Sequence, residues 1–195
     1  MRRLLGGHPV LDFINTIDPR EGDRKTDYLR SFDDLIQWAQ RTGVLRREEA
    51  RRAMRAAAHD PSAGRRAFVR AIELREACHA IFSAVAAHRR WPSDAVRVLE
   101  NAFRNALASA RLTPTESSAA WRVAPGLDIV RWQIARAAVG LLESGPLDRI
   151  KRCPGSGNCG WLFLDSSKNA SRRWCSMEGC GNRAKVRRYS ARLCS

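Results

Sequence analysis

Arg152-Cys153-Pro154-Gly155-Ser156-Gly157-Asn158-Cys159-Gly160 and Cys175-Ser176-Met177-Glu178-Gly179-Cys180-Gly181, with fifteen residues between Cys159 and Cys175, divide this chain into two unlike parts. Two short cysteine pairs across a spacer are what a tetrahedral zinc site of four thiolates requires, each pair turning to deliver two of them at about 2.3 Å from one metal. The spacings are Cys-x5-Cys and Cys-x4-Cys, longer than the commoner Cys-x2-Cys. Glycine follows the second cysteine of both pairs, as Gly160 and Gly181, where the missing side chain lets backbone N–H groups approach the sulfurs. A block of about 40 residues is too short to bury a core of its own, and a metal staple supplies that stability. Disulfides or plain buried thiols are the alternatives, and disulfides are disfavoured inside a cell. Four protein ligands leave no open coordination position, so Cys153, Cys159, Cys175 and Cys180 read as ligands of one structural Zn2+ rather than a catalytic one. Cys194 reads as a spare thiol, with replacement of one ligand as its alternative.

Charge changes at the same place. The 195 residues carry 35 Lys plus Arg against 20 Asp plus Glu, a net +15. Residues 1–148 hold 24 basic and 18 acidic side chains, whereas residues 149–195 hold 11 basic ones and two acids, Asp165 and Glu178. The expected parts are therefore a domain at 1–148 and a small cysteine module at 149–195. A hydrophobic content of 44% excludes a disordered chain. No apolar run approaches the roughly 20 residues that span a bilayer. Met1-Arg2-Arg3-Leu4-Leu5 starts like a signal peptide, but Gly6, Gly7, His8, Pro9 and Asp12 break its apolar core. The expectation is a cytoplasmic protein without a membrane partner.

The first part reads as mainly helical. Ser31-Phe32-Asp33-Asp34 resembles a capping box with Ser31 as N-cap, followed by Leu35, Trp38 and Ala39 at helical spacing and a stop at Gly43. A second helix begins near Glu48, and Asp60-Pro61 ends it and starts the next. Over residues 62–89, Ala71, Leu74, Cys78, Ile81 and Val85 form one apolar stripe, which makes Cys78 a buried core thiol. Val96, Leu99, Phe103 and Ala106 form another stripe, and Leu127, Val130, Ile134, Ala138 and Leu141 a third. Between these two, Arg111–Ala124 is rich in Ser and Thr and suits a short hairpin. Five helices and a minor sheet make the fold mainly α with a minor β component, an α+β protein with the cysteine module appended.

Two polar constellations remain. Val10–Ile17 is an apolar run interrupted by Asp12, Asn15 and Thr16, which need partners if buried. With His8 they are candidates for lining a small-molecule pocket, although caps on local backbone groups are the commoner role of such residues. No nucleophile–base pair, Gly-rich phosphate loop or helical metal-ligand pair occurs in this part, so an enzyme is not expected. After Cys180, the segment Gly181–Arg192 carries Arg183, Lys185, Arg187, Arg188 and Arg192, with Arg172-Arg173-Trp174 upstream. A basic helix issuing from a zinc site suits phosphates or the DNA major groove, and the planar fork of Arg grips phosphate or guanine. A solvated basic surface is the alternative, since Arg exceeds Lys by 31 to 4 over the whole chain.

Arg172-Arg173-Trp174-Cys175-Ser176-Met177 with Cys180-Gly181-Asn182-Arg183-Ala184-Lys185 resembles the CGNR-type zinc finger, as do Phe163-Leu164-Asp165-Ser166-Ser167, Asn169 and Ser171. Gly6–Thr16 and the Ser31–Leu45 helix with Trp38 resemble the ABATE domain that precedes this finger. The resemblance implies a stress-induced transcription regulator of bacteria, an amino-terminal ligand-sensing part, and zinc on Cys153, Cys159, Cys175 and Cys180. The Pro-Gly-Ser-Gly insert at 154–157 departs from the family pattern.

Together these readings lead to a zinc-holding, DNA-binding regulator. Its partners would be double-stranded DNA through Arg172, Arg173, Arg183, Lys185, Arg187, Arg188 and Arg192, and a small-molecule effector. Homodimer formation is left open. The alternative is a zinc-stabilised module that contacts RNA or protein, with Trp161, Trp174 and Tyr189 stacking or anchoring. Separate stabilising elements further predict that chelation unfolds residues 150–192 and leaves the helical part intact.

Overall fold

The computed structural model describes residues 4–22, 24–114, 116–155 and 159–193, with side chains described as far as residue 191. A short helix α1 (Pro9–Ile14) opens the chain and is followed by a two-residue ladder, β1 (Ile17–Asp18) with β2 (Thr26–Asp27). Helices α2 (Phe32–Arg41), α3 (Arg47–His59), α4 (Pro61–Ala86) and α5 (Ser93–Ala108) follow. A hairpin of β3 (Ala110–Pro114) and β4 (Ala119–Val123) then leads into α6 (Ile129–Ser144). The last part holds the hairpin β5 (Ile150–Arg152) and β6 (Leu162–Leu164), one π-helical turn over Met177–Gly181, and α7 (Asn182–Leu193). The α+β reading therefore holds, as do the expected hairpin after α5 and the basic terminal helix.

Helix α4 is the axis of the molecule. Asp60 caps it by accepting the Ala63 N–H at 2.9 Å, and Pro61 occupies the first turn, where its missing N–H costs nothing. Its stripe of Ala71, Leu74, Cys78, Ile81 and Val85 is buried throughout. Helices α1, α2, α3, α5 and α6 pack around it, and so do β5 and β6. Burial pushes the Cys78 thiol up to about 12, which leaves it an inert core group. From α5 the core takes Ala95, Leu99, Ala102 and Ala106; Val96 and Phe103 sit at its margin.

Local signals set the helix ends. Ser31 Oγ accepts the Asp34 N–H at 3.1 Å, and the Asp34 carboxylate reaches back to the Arg30 N–H at 2.9 Å. Gly43 follows the Thr42 cap with φ +76°, the left-handed geometry that glycine adopts without strain. Ser31→Ala should destabilise the protein by about 1 kcal/mol. A urea-unfolding midpoint that does not move would show that α2 is held by packing alone. That packing centres on Trp38, 1% exposed, whose ring lies 5.0 Å from that of Phe13.

Helix α1 buries Val10, Leu11, Phe13 and Ile14 completely, while Pro9 is exposed and Asp12 half-buried on its other side. It lies against α4, α6 and β6. Beside it, two arginines enter the interior with their charges matched. Arg75, 2% exposed, donates to both Asp27 carboxylate oxygens at 2.8 and 2.6 Å, to Thr16 Oγ1 at 3.0 Å and to Glu76 at 2.8 Å. Arg20 donates to the Ile14 carbonyl through Nε (2.8 Å) and Nη2, and to Glu76 at 2.7 Å. These pairs fix Arg20 and the β2 residue Asp27 to α4.

Candidate metal centre

The cysteine module is built on the β5–β6 hairpin. Cys153 leaves the end of β5, and its N–H donates to the Trp161 carbonyl at 2.8 Å. Two glycines between them, Gly155 and Gly160, cannot be replaced by another residue without strain. Gly155 has φ +54°, and a Cβ there would stand 2.4 Å from the Cys159 Cβ. Gly160 has φ +65°, and a Cβ there would meet Glu21 Cγ at 2.8 Å and Arg20 Cβ at 3.0 Å. Gly160 thus allows close approach of the 20–21 loop, a different reason from the sulfur access expected of it. The second pair turns around Ser176, whose Oγ accepts the Gly179 N–H at 3.2 Å, while the Gly181 N–H donates to the Ser176 carbonyl at 3.0 Å. A Cβ at Gly181 would press on Met177 and Trp174.

These turns bring Cys153, Cys159, Cys175 and Cys180 together with all four sulfurs within 4.8 Å of one another. Cys175 Sγ lies 3.7 Å from Cys159 Sγ and 3.6 Å from Cys180 Sγ. Ligands about 2.3 Å from a tetrahedral ion stand about 3.8 Å apart, so the cluster has the dimensions of a zinc tetrahedron. The sulfurs are buried among Trp161, Phe163, Leu5 and Trp174. The Cys175 N–H donates to Cys153 Sγ at 3.3 Å and Arg183 Nη2 to Cys180 Sγ at 3.1 Å, the support that zinc-bound thiolates need. Hydrogen bonds from neighbouring thiols and amides draw the Cys153 thiol well below its usual range, whereas proton sharing with Cys153 pushes Cys159 up. Four thiolates so close require a divalent cation, and the all-sulfur donor set selects zinc. The ion would be closed off by protein ligands and structural in role.

Two further groups brace the module. Asp165, with no exposed surface, accepts from Lys151 Nζ at 2.6 Å, from the Ser167 N–H and hydroxyl at 2.9 and 2.6 Å, and from the Arg172 N–H at 2.9 Å. Burial alone would raise its pKa, but these donors hold the carboxyl well below its usual range. Lys151 also donates to the Ala170 and Arg172 carbonyls. Arg172 lies 4.5 Å over the Phe163 ring and donates to the carbonyls of Leu5, Leu164, Trp174 and Cys175. The expectation that Arg172 grips phosphate is therefore corrected: its guanidinium is spent inside the module. Neither Asp165 nor Lys151 was among the expected site residues. Asp165 could have been flagged, since one of only two acids in a basic block is a candidate for an internal ion pair.

The module is joined to the helical part by main-chain-directed bonds. Asn15 Nδ2 donates to the Leu162 carbonyl at 2.8 Å, and the Leu162 N–H donates to Asn15 Oδ1 at 3.1 Å. Trp161 Nε1 donates to the Ile17 carbonyl, the Arg20 N–H to the Cys159 carbonyl, and the Leu164 N–H to the Gly6 carbonyl, each at 2.8 Å. Ile150 and Leu162 belong to the same apolar cluster as α4. Three of the four residues expected to line a small-molecule pocket have other partners. Asp12 accepts the Gly6 N–H at 2.8 Å, Asn15 clamps Leu162, and Thr16 Oγ1 donates to the Phe13 carbonyl at 2.7 Å while accepting from Arg75. Among the described residues nothing bonds Nδ1 of the half-buried His8, and burial lowers its pKa.

The basic residues fall into two groups. Arg183, Lys185, Arg187 and Arg188 are exposed on α7, and Arg173 is exposed 5.8 Å over Trp174. The side chain of Arg192, and Cys194 as a whole, lie outside the described residues. Among the described residues no helix is long and apolar enough to cross a membrane.

Residues 7–145 match the ABATE family, described as "Putative stress-induced transcription regulator", and residues 149–193 match the CGNR zinc finger. Both are regulatory or zinc-finger families, not families of enzymes. No curated protein matches the sequence. The chain belongs to the ABATE family and ends in a CGNR zinc finger whose four cysteines hold one structural zinc.

Proposed function

We propose that the protein is a transcription regulator that binds double-stranded DNA through α7, with the zinc turn holding the base of that helix. The observation that carries this reading is the exposure of Arg183, Lys185, Arg187 and Arg188 on a helix that starts one residue after Cys180-Gly181. At 100° per residue, Arg183 and Arg187 flank one side of the small residues Ala184 and Ala191, and Arg188 flanks the other. A narrow face of small side chains between guanidinium groups fits a major groove with phosphates on both walls. Arg173 adds a cation near the base of the helix. The zinc and its ligands act structurally here, fixing where the helix begins. The stacking alternative loses Trp161, which is 4% exposed and bonded to Ile17. Effector sensing by the amino-terminal part comes from the family likeness, not from His8, Asp12, Asn15 or Thr16.

The test is a fluorescence-anisotropy titration of zinc-loaded protein with a labelled duplex at several salt concentrations. If about six phosphates are neutralised, log Kd against log salt should have a slope of magnitude near 5. Arg187→Ala should weaken binding about tenfold and lower that magnitude by about 1. Absence of duplex binding at low salt overturns the reading, and preference for a single strand of equal length transfers it to the RNA-type alternative.

A further inference from the structure

A cavity of about 250 Å³ opens beside the cysteine cluster. Cys159, Cys175 and Cys180 line it, and Cys153 does not, so it lies over the face of the sulfur tetrahedron opposite Cys153. Its other walls include Leu5, Trp161 and Gly179, with Arg183 beside Cys180. A water molecule occupies about 30 Å³ of liquid, so the space admits a small reagent to three thiolate ligands of a site otherwise closed by protein.

The three sulfurs are not equivalent. A hydrogen bond to a thiolate draws charge from sulfur and lowers its nucleophilicity, as a lowered pKa does. Cys180 Sγ accepts from Arg183 at 3.1 Å, and Cys153, on the far side, from the Cys175 N–H. Among the described residues no N–H donates to Cys175 Sγ, which also stands centrally, 3.7 Å from Cys159 and 3.6 Å from Cys180. A reactive thiolate needs access, and one that is to form a disulfide needs a second thiol close by. Cys175 has both.

We propose that Cys175 is a modification site for small hydroperoxides, entered through this cavity, and that its oxidation to a disulfide releases the zinc. The Cys175 thiolate attacks the terminal, hydrogen-bearing oxygen of the hydroperoxide. An S–O bond forms, the O–O bond breaks, and the departing alkoxide takes a proton from water and leaves as the alcohol. The Cys180 or Cys159 thiolate then attacks the sulfenic sulfur. The S–S bond forms, the S–O bond breaks, and the departing hydroxide is protonated to water. Two thiolates supply two electrons, and the hydroperoxide takes both. Only two thiolates then remain in the cluster, too few to retain the ion. Cys78, buried in the helical core, stays reduced and serves as an internal standard.

Full-length, zinc-loaded protein treated with tert-butyl hydroperoxide beside a chromogenic chelator tests this, followed by alkylation and peptide mapping. The expected result is one zinc released per chain together with a disulfide joining Cys175 to Cys180 or Cys159. Gly179→Leu partly fills the cavity; its Cβ would meet Ser176 no closer than 3.7 Å. That variant should release zinc about tenfold more slowly under peroxide, since access limits the thiolate, with acid-induced release unchanged. Comparison of hydrogen peroxide with cumene hydroperoxide on the unaltered protein probes the same entrance without a variant, and the bulky reagent should be slower. Zinc retained after oxidation, a disulfide through Cys153 with Cys175 still alkylated, or equal rates for the two reagents overturns the proposal.

Discussion

Removing zinc from the reduced protein should abolish order at 153–155, 159–161 and 172–193 and also loosen the helical part that packs on it. Structural zinc in comparable modules contributes about 10–16 kcal/mol to folding, more than this module's side chains can replace. The sequence reading places the damage within residues 150–192, on the assumption of separate stabilising elements. The structure extends it. Cys153 and Cys159 close the turn of the β5–β6 hairpin, and Ile150 and Leu162 of that hairpin lie 3% and 0% exposed in the α4 core. The 17–21 loop loses its partner when the Cys159 carbonyl, bonded to the Arg20 N–H, is no longer held. Hydrogen exchange after chelation should show protection lost across the cysteine turns and reduced in α1 and the 17–27 segment, with the centre of α4 least affected. Cys153→Ser should give the same pattern without a chelator. If thermal melting of the helices is unchanged after complete zinc removal, the hairpin docks independently of the metal.

Asn15→Leu should cost about 2–5 kcal/mol, because it leaves both the N–H and the carbonyl of buried Leu162 without partners at about 1–3 kcal/mol each. Asn15 is itself 6% exposed, so water cannot readily replace the amide. For a chain of this size that loss corresponds to a fall in Tm of about 10 °C. Asn15→Asp should fare little better: the carboxylate can accept from the Leu162 N–H but faces the carbonyl oxygen with like charge. The amide, one donor and one acceptor in a plane, matches the exposed edge of β6 as a neighbouring strand would. Zinc affinity should fall along with stability, since the clamp holds the strand between the two cysteine pairs. A loss below about 1 kcal/mol, within the range of an ordinary exposed hydrogen bond, would mean that Asn15 contributes nothing beyond its own bonds.

The long helices were legible because their apolar positions recur every three or four residues, as at Ala71, Leu74, Cys78, Ile81 and Val85. The zinc ligands were legible because two spaced pairs of thiols allow few other uses. Helix α1 was not, since it is only six residues long and the exposed Pro9 and half-buried Asp12 interrupt its apolar positions. Asn15 and Thr16 announced that they needed partners, but one of those partners lies 147 residues away and is a backbone group with no side-chain signature. Arg172 was misread for a related reason. In a chain so rich in arginine, composition cannot distinguish the guanidinium turned onto Phe163 from those of α7 in water.

Gly160, wedged against Arg20 and Glu21, has a consequence for how this finger can be reused. A zinc module fixed only by its own ligands can be cut at its ends and grafted elsewhere as a cassette. Here the turn carrying Cys159 is shaped to the side chains of another segment, and its second strand is completed by Asn15. A transplant bounded at residue 149 would carry a glycine with no loop to receive and a strand edge open to any passing chain. The portable unit would have to include the 6–27 segment, so the boundary at which composition changes is not the boundary at which the protein can be divided.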